Sequence, residues 1–225
     1  MSLLLNIDTA LETGSVCLSK NGTIIESHVN HQQHDHAAWL HPAIHDLLHN
    51  NKLEAPQLDA IAVTIGPGSY TGLRIGLSAA KGLCYALDKP LITVGTLEVL
   101  ASLVIDDAEQ LICPVIDARR MEIFTALYNK EFQLISEPGA MVLEKNSFSD
   151  IIKDQQVLFC GNAVTKMPPV ISSPNASFVN KAFTAPDLAP LAFQRFIAGS
   201  FADLAYTEPL YLKEFYFQQP KVKGN

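Results

Sequence analysis

Leu5-Asn6-Ile7-Asp8-Thr9 has a counterpart half a chain away in Pro114-Val115-Ile116-Asp117-Ala118, and each leads through a turn into another strand-like run. Both are apolar segments that end on an aspartate, and a repeat of half-chain length is the signature of a duplicated unit. Working outward from the first copy, residues 3–9, 15–20 and 23–29 read as three strands, with Asn21-Gly22 as the hairpin signal between the last two. Leu40, Ile44, Leu47 and Leu48 recur at helical spacing and predict a helix over 37–50. A strand at 60–65, a Gly-rich turn, a helix over 71–87 and a strand at 91–94 complete the first half as βββαβαβ.

The second copy continues with strands at 121–128 and 132–135 around an Asn129-Lys130 turn, then a strand at 157–160 and a helix over 188–204. Pro168-Pro169, Pro174, Pro186 and Pro190 are expected to break what lies between them. The polar stretch 106–110 is the expected join, which gives a first domain of residues 1–105 and a second of 106–225 that ends in a tail. Within that tail, 218–225, Lys221 and Lys223 follow Pro220, and the segment reads as disordered.

The chain has 225 residues and is 48% hydrophobic, ample for a buried core. Its apolar runs are strand-sized, so no membrane span is expected, and with no basic or apolar leader at the N-terminus the expected location is cytoplasmic. Cys17, Cys84, Cys113 and Cys160 stand singly in apolar runs and read as reduced core residues. A formal charge of −7 argues against a protein that grips nucleic acid by itself, because phosphate binding needs a basic face. Any RNA would have to be held mainly by a partner.

Four constellations can carry chemistry. Asp8-Thr9 with Gly14-Ser15 places a carboxylate at a strand end before a turn of small hydroxyl residues, an arrangement that can hold a metal-bound phosphate or simply cap a turn. GPGSYTGLR, with Gly66, Gly68, Ser69, Thr71 and Arg74, lies between a strand and a helix, where backbone amides can cradle an anion. It lacks the lysine of a P-loop, and a tight turn with Ser69 or Thr71 as N-cap explains it as well. Asp117-Ala118-Arg119-Arg120 offers two guanidinium forks to a phosphate or a partner carboxylate, or stabilises its own turn by pairing with Asp117 or Glu122. All seven histidines fall in 28–49, and His41, His45 and His49 share one helix face. No Glu completes an HExxH site, so a solvated flank is the expectation. No serine or cysteine nucleophile has a convincing base.

Ile7-Asp8-Thr9, GPGSYTGLR with Ile75-Gly76-Leu77, Ala80-Lys81-Gly82-Leu83 and Val115-Ile116-Asp117-Ala118-Arg119-Arg120 together resemble the TsaB (YeaZ) family. Tyr211-Leu212-Lys213 is similar to that family's Tyr-Leu-Arg, with Lys for Arg. The resemblance implies an α/β fold of the acetate kinase, sugar kinase, heat-shock and actin (ASKHA) superfamily, with two RNase H-like domains. It implies a non-catalytic scaffold that acts with the homologous catalytic subunit TsaD and the ATPase TsaE in making N6-threonylcarbamoyladenosine at position 37 of tRNAs. An active phosphotransferase of the superfamily, or an M22-type glycoprotease, is the alternative. Where the catalytic sister carries metal-binding histidines this sequence has Thr96 and Leu100, so no metal and no cofactor are expected, and the loops around Asp8, Gly66 and Asp117 become vestigial.

The family further implies a homodimer when alone, tRNA bound only through the complex, and association through the two helices of the first domain. The second of these is rich in small residues, Gly72, Gly76, Ala79, Ala80 and Gly82, which admit a close neighbour. The expected partner contacts are Leu73, Gly76, Leu77, Ala80 and Cys84, with Trp39 and Leu40 from the preceding helix.

Overall fold

The computed structural model describes residues 2–32 and 35–213, so the tail 218–225 and its lysines lie outside the described residues. Strands β1 (Leu3–Asp8), β2 (Gly14–Lys20) and β3 (Thr23–Asn30) form an antiparallel meander. Asn21 and Gly22 take positive φ of 50° and 79°, as the tight hairpin between β2 and β3 requires. Helix α1 (His36–Asn50), strand β4 (Ala60–Thr64), helix α2 (Tyr70–Leu87) and strand β5 (Leu91–Val94) follow, with β4 and β5 added parallel to β1. The sheet order is β3-β2-β1-β4-β5.

After helix α3 (Thr96–Ser102) the pattern repeats with β6 (Leu111–Asp117), β7 (Glu122–Asn129), β8 (Leu134–Val142), the short helix α4 (Ser149–Ile152), β9 (Val157–Cys160) and β10 (Ala176–Val179). Their order, β10-β9-β6-β7-β8, is the first sheet's order again, with β6 standing where β1 stands. The repeat of Asp8 by Asp117 is therefore a repeat of position at the end of the central strand. Helix α5 (Ala185–Ile197) closes the fold and packs on the first sheet, against β1, β2 and β5.

The period-2 alternation of β1 divides the core. Leu5 and Ile7 point to the face covered by α1 and α2, where Leu40, Leu47, Leu77 and Ala80 complete one apolar cluster. Leu4 points to the other face, where α3 and α5 join both sheets in a second cluster with Leu97, Leu100, Ile116, Leu158 and Leu188. The far face of the second sheet is sealed by Phe159, Leu143, Ile152 and Met167. All four cysteines are buried free thiols, consistent with their reading as core residues, and burial pushes Cys17 and Cys113 up to about 12.

Three expectations change. Strand β8 does not stop at Ile135 but runs through Pro138 and Gly139 to Val142, because it is an edge strand whose outer amides need no partner. Pro186 and Pro190 do not break the last helix: Pro186 sits in its first turn, where the amide is unpaired anyway, and Pro190 lies inside it. That helix ends at Ile197, before Gly199 at φ 64°, rather than reaching Leu204.

Candidate functional site

Asp8 is 1% exposed at the end of β1, and its Oδ1 accepts hydrogen bonds from the Thr64 hydroxyl at 2.6 Å and the Ala10 amide at 3.2 Å. Burial pushes its carboxyl up to about 6, outweighing those two bonds, and the charge of Asp187 adds to the rise. Thr9 turns away to donate its hydroxyl to the Gly72 carbonyl at 2.7 Å. The Ser69 amide donates to the Ala10 carbonyl at 2.7 Å, and the Ser69 hydroxyl caps α2 by accepting from the Gly72 amide. Thr71 points to solvent.

The loop after β1 and the Gly66–Ser69 loop are thus bonded to each other. A Cβ added at Gly68 would lie 2.2 Å from the Ala10 carbonyl oxygen, so only glycine permits the approach. Gly66, at φ 113°, is covered by the chain near the C-terminal strip: Leu210 donates its amide to the Ile65 carbonyl at 2.7 Å, and Thr96 donates its amide to Gly66 at 2.8 Å. Ser15 accepts from the Ala185 amide at 2.8 Å, and Gly14 lies against the ring of His36. His36 is itself buried and lies outside the face expected to be solvated; on that face His41, His45 and His49 are exposed, and His45 and His49 stack in solvent on α1. Among the described residues, no three His, Cys, Asp or Glu side chains converge on a point that could hold a metal. Thr96 and Leu100 are fully buried, and Leu100 belongs to the core between the sheets.

At the matching end of the second sheet, the Asp117 amide donates to Asn162 Oδ1 at 2.8 Å and the Asp117 carboxylate accepts from the Arg119 amide at 2.7 Å and from Lys166. Partial burial works to raise the Asp117 carboxyl, but these bonds, with the charges of Lys166 and Arg119, outweigh it and hold it below the usual carboxylate value. Tyr211 accepts from Arg74 Nε at 2.9 Å, and Lys213 pairs with Glu122, so the Tyr211-Leu212-Lys213 strip runs from α2 to β7.

Gly72, Gly76 and Ala80 of α2 face inward while Gly82 is exposed, which corrects the expected contacts. Leu73, Leu77, Ala80 and Cys84 are 4% exposed or less, and a Cβ on Gly76 would lie 2.3 Å from Thr9 Oγ1. Gly72 and Gly76 let α2 approach the loop after β1, and the apolar side chains beside them fill the space over the sheet. Leu40 is also fully buried, and Trp39 is half-buried against the same core.

The open surface of the helix pair is a different one, a groove of about 360 Å³ whose rim and walls include Ala37, His41, Ile75, Ser78, Gly82 and Leu83. Leu40 and Ala79 lie at its floor. The signal for it was present in the sequence: Ile75, Ala79, Gly82 and Leu83 form a second apolar stripe opposite Leu73, Leu77 and Cys84, and a helix apolar on two faces has two neighbours to satisfy.

Residues 23–223 match the family model described as TsaD, tRNA N6-adenosine threonylcarbamoyltransferase. A tRNA threonylcarbamoyladenosine biosynthesis protein TsaB of Bacillus subtilis is 35% identical over 71% of this chain and 70% of its own length. The structure of YeaZ from Pseudomonas aeruginosa is similar with a TM-score of 0.78 at 28% identity, covering 94% of this chain and all of that one. At the level of fold alone, an activator of 2-hydroxyisocaproyl-CoA dehydratase from Clostridium difficile superposes with a TM-score of 0.51 at 10% identity, over 88% of this chain and 96% of the other. That likeness fits the duplicated sheets and the ASKHA-type fold. The chain belongs to the TsaB (YeaZ) family of tRNA threonylcarbamoyladenosine biosynthesis proteins.

Proposed function

We propose that this chain is the non-catalytic subunit of a tRNA-modifying assembly, which docks a TsaD-like catalytic subunit on the groove between α1 and α2. The observation that carries the reading is the bonding of the two phosphate-type loops to each other. The Ser69 amide is spent on Ala10 and the Thr9 hydroxyl on Gly72, so the groups that would receive a nucleotide phosphate hold the fold together instead. Asp8, Thr9, Gly14, Ser15, Gly66, Gly68, Ser69 and Asp117 act as structural residues in this view. The division into domains at residue 105 describes the two sheets, with α5 crossing back onto the first.

A TsaE-like ATPase completes the assembly, the isolated chain pairs with itself through the same groove, and tRNA is held through the complex, all in the cytoplasm. Supporting the groove as the docking site, Ile75 and Leu83 line it on α2 and Ala37 on α1, with small residues between them that admit a partner helix. Co-expression with the catalytic subunit followed by size-exclusion chromatography tests the reading, with co-elution expected. Calorimetry of the chain alone with ATP and Mg²⁺ tests the enzyme alternative, and stoichiometric binding there would overturn the scaffold role.

A further inference from the structure

Between β6 and β7 the backbone passes through Arg119, Arg120 and Met121 at φ of 68°, 47° and 57°. Three successive residues with a Cβ in the left-handed region are held only where the surroundings over-determine them, and such strain gathers at functional sites. Here the surroundings do so. The Ala118 amide donates to Glu122 at 3.0 Å, the Glu122 amide to Arg119 at 2.8 Å, the Leu143 amide to Met121 at 2.7 Å, and the Asp117 carboxylate takes the Arg119 amide.

The charges at this turn are not balanced. Asp117 is paired with Lys166 and Glu122 with Lys213, so both carboxylates are already committed. Arg119 and Arg120 are exposed, and their guanidinium groups make no hydrogen bond or ion pair among the described residues. Arg120 is near enough to Lys213 to depress that ammonium's proton affinity, second to burial. Four cations thus surround two carboxylates on a chain whose formal charge is −7. An exposed, hydrogen-bonded turn with two solvent-facing guanidinium forks suits the spaced phosphates of a nucleic-acid backbone, each fork engaging two oxygens. It does not enclose a ligand, as a nucleotide site would.

We propose that Arg119 and Arg120 contact the phosphodiester backbone of RNA held in the complex, a second contact surface on an element separate from the α1–α2 groove. It rests on the reading of the chain as a partner in tRNA modification. The chain is too acidic to hold RNA by itself, so the turn adds a few contacts to a polyanion bound chiefly by the catalytic subunit.

The test is fluorescence anisotropy of a labelled tRNA with the complex of this chain and the TsaD-like subunit, across 50 to 200 mM salt. Removing two phosphate contacts by Arg119→Ala with Arg120→Ala is expected to flatten the slope of log K against log salt by about two, and to weaken binding about tenfold at the low-salt end. Arg119→Lys with Arg120→Lys keeps the charges in the same turn and is expected to restore most of the slope. An intact complex in which the alanine pair leaves slope and affinity unchanged overturns the RNA contact while the partner reading stands. So does a polyglutamate peptide that binds through the arginines when tRNA does not, which would assign the turn to an acidic protein. If the unaltered chain forms no complex, the partner reading fails and this inference with it.

Discussion

Gly76→Ala and Gly82→Ala are the same chemical change on one helix, and the structure gives them opposite signs. In α2 each replacement gains about 1 kcal/mol from helix propensity alone. At Gly82 nothing lies within 4 Å of the added Cβ, so that gain is the whole effect, and the variant should melt about 2 to 4 °C higher. At Gly76 the Cβ would sit 2.3 Å from Thr9 Oγ1 and 3.5 Å from Val63. Thr9 cannot yield freely, because its hydroxyl holds the Gly72 carbonyl at 2.7 Å. Overpacking of about 1 to 3 kcal/mol, with a buried hydrogen bond of about 1 kcal/mol disturbed, outweighs the propensity gain and leaves a net loss of about 2 kcal/mol. The two variants should therefore differ by about 3 kcal/mol in urea unfolding, with equal m-values. If both shift in the same direction, the close approach of α2 to the loop after β1 is not as described, and the inward assignment of Gly72, Gly76 and Ala80 falls.

Gly82→Trp fills the groove without touching the core, so co-elution with the catalytic subunit should weaken at least tenfold while circular dichroism stays unchanged; unaltered binding moves the partner site elsewhere. The Asp8 carboxyl is raised from 3.8 to about 6 on folding, so the folded state binds the proton more tightly, and its contribution to stability is lost as pH rises from about 4 to 6. Asp8→Asn should remove that fall and be more stable by about 3 kcal/mol at pH 7 but not at pH 4, and parallel stability curves for the two proteins would contradict it. Arg195 in α5 grips both oxygens of Glu98 in α3 at 2.7 and 2.8 Å and also donates to the Thr93 carbonyl. Arg195→Met leaves Glu98 partly buried without its cation and should lower unfolding free energy by about 2 kcal/mol, whereas a change below about 0.5 kcal/mol would mark the pair as solvated.

Periodicity and the repeated aspartate strand made the first sheet legible nearly residue by residue, since Leu5 and Ile7 alternate with Leu4 and Asn6, and Asn21-Gly22 leaves little choice of turn. The duplication was equally legible, because Ile116-Asp117 copies Ile7-Asp8 in both pattern and place. What the sequence could not reveal is which neighbour a face meets. Gly72, Gly76 and Ala80 say that something comes close to α2, and only the fold identifies it as the chain's own β1 loop. Proline misled at Pro186, and Pro138 shows the same tolerance in a strand. Pro138 lies on an edge and Pro186 in a first turn, and in both places the missing amide hydrogen has no acceptor to disappoint. The left-handed run at 119–121 carried no residue signal, as none of the three is glycine or asparagine.

Because α5 lies on the first sheet, the order of synthesis differs from the order of packing. A ribosome that has released only the first half has delivered one complete sheet, with α1 and α2 ready to cover one side. The opposite side, with Leu4, Ala60, Ala62 and Ile92, keeps its oily surface until Leu188, Leu191 and Ala192 emerge almost 100 residues later. The nascent half therefore keeps one apolar face open during the seconds before its cover is made.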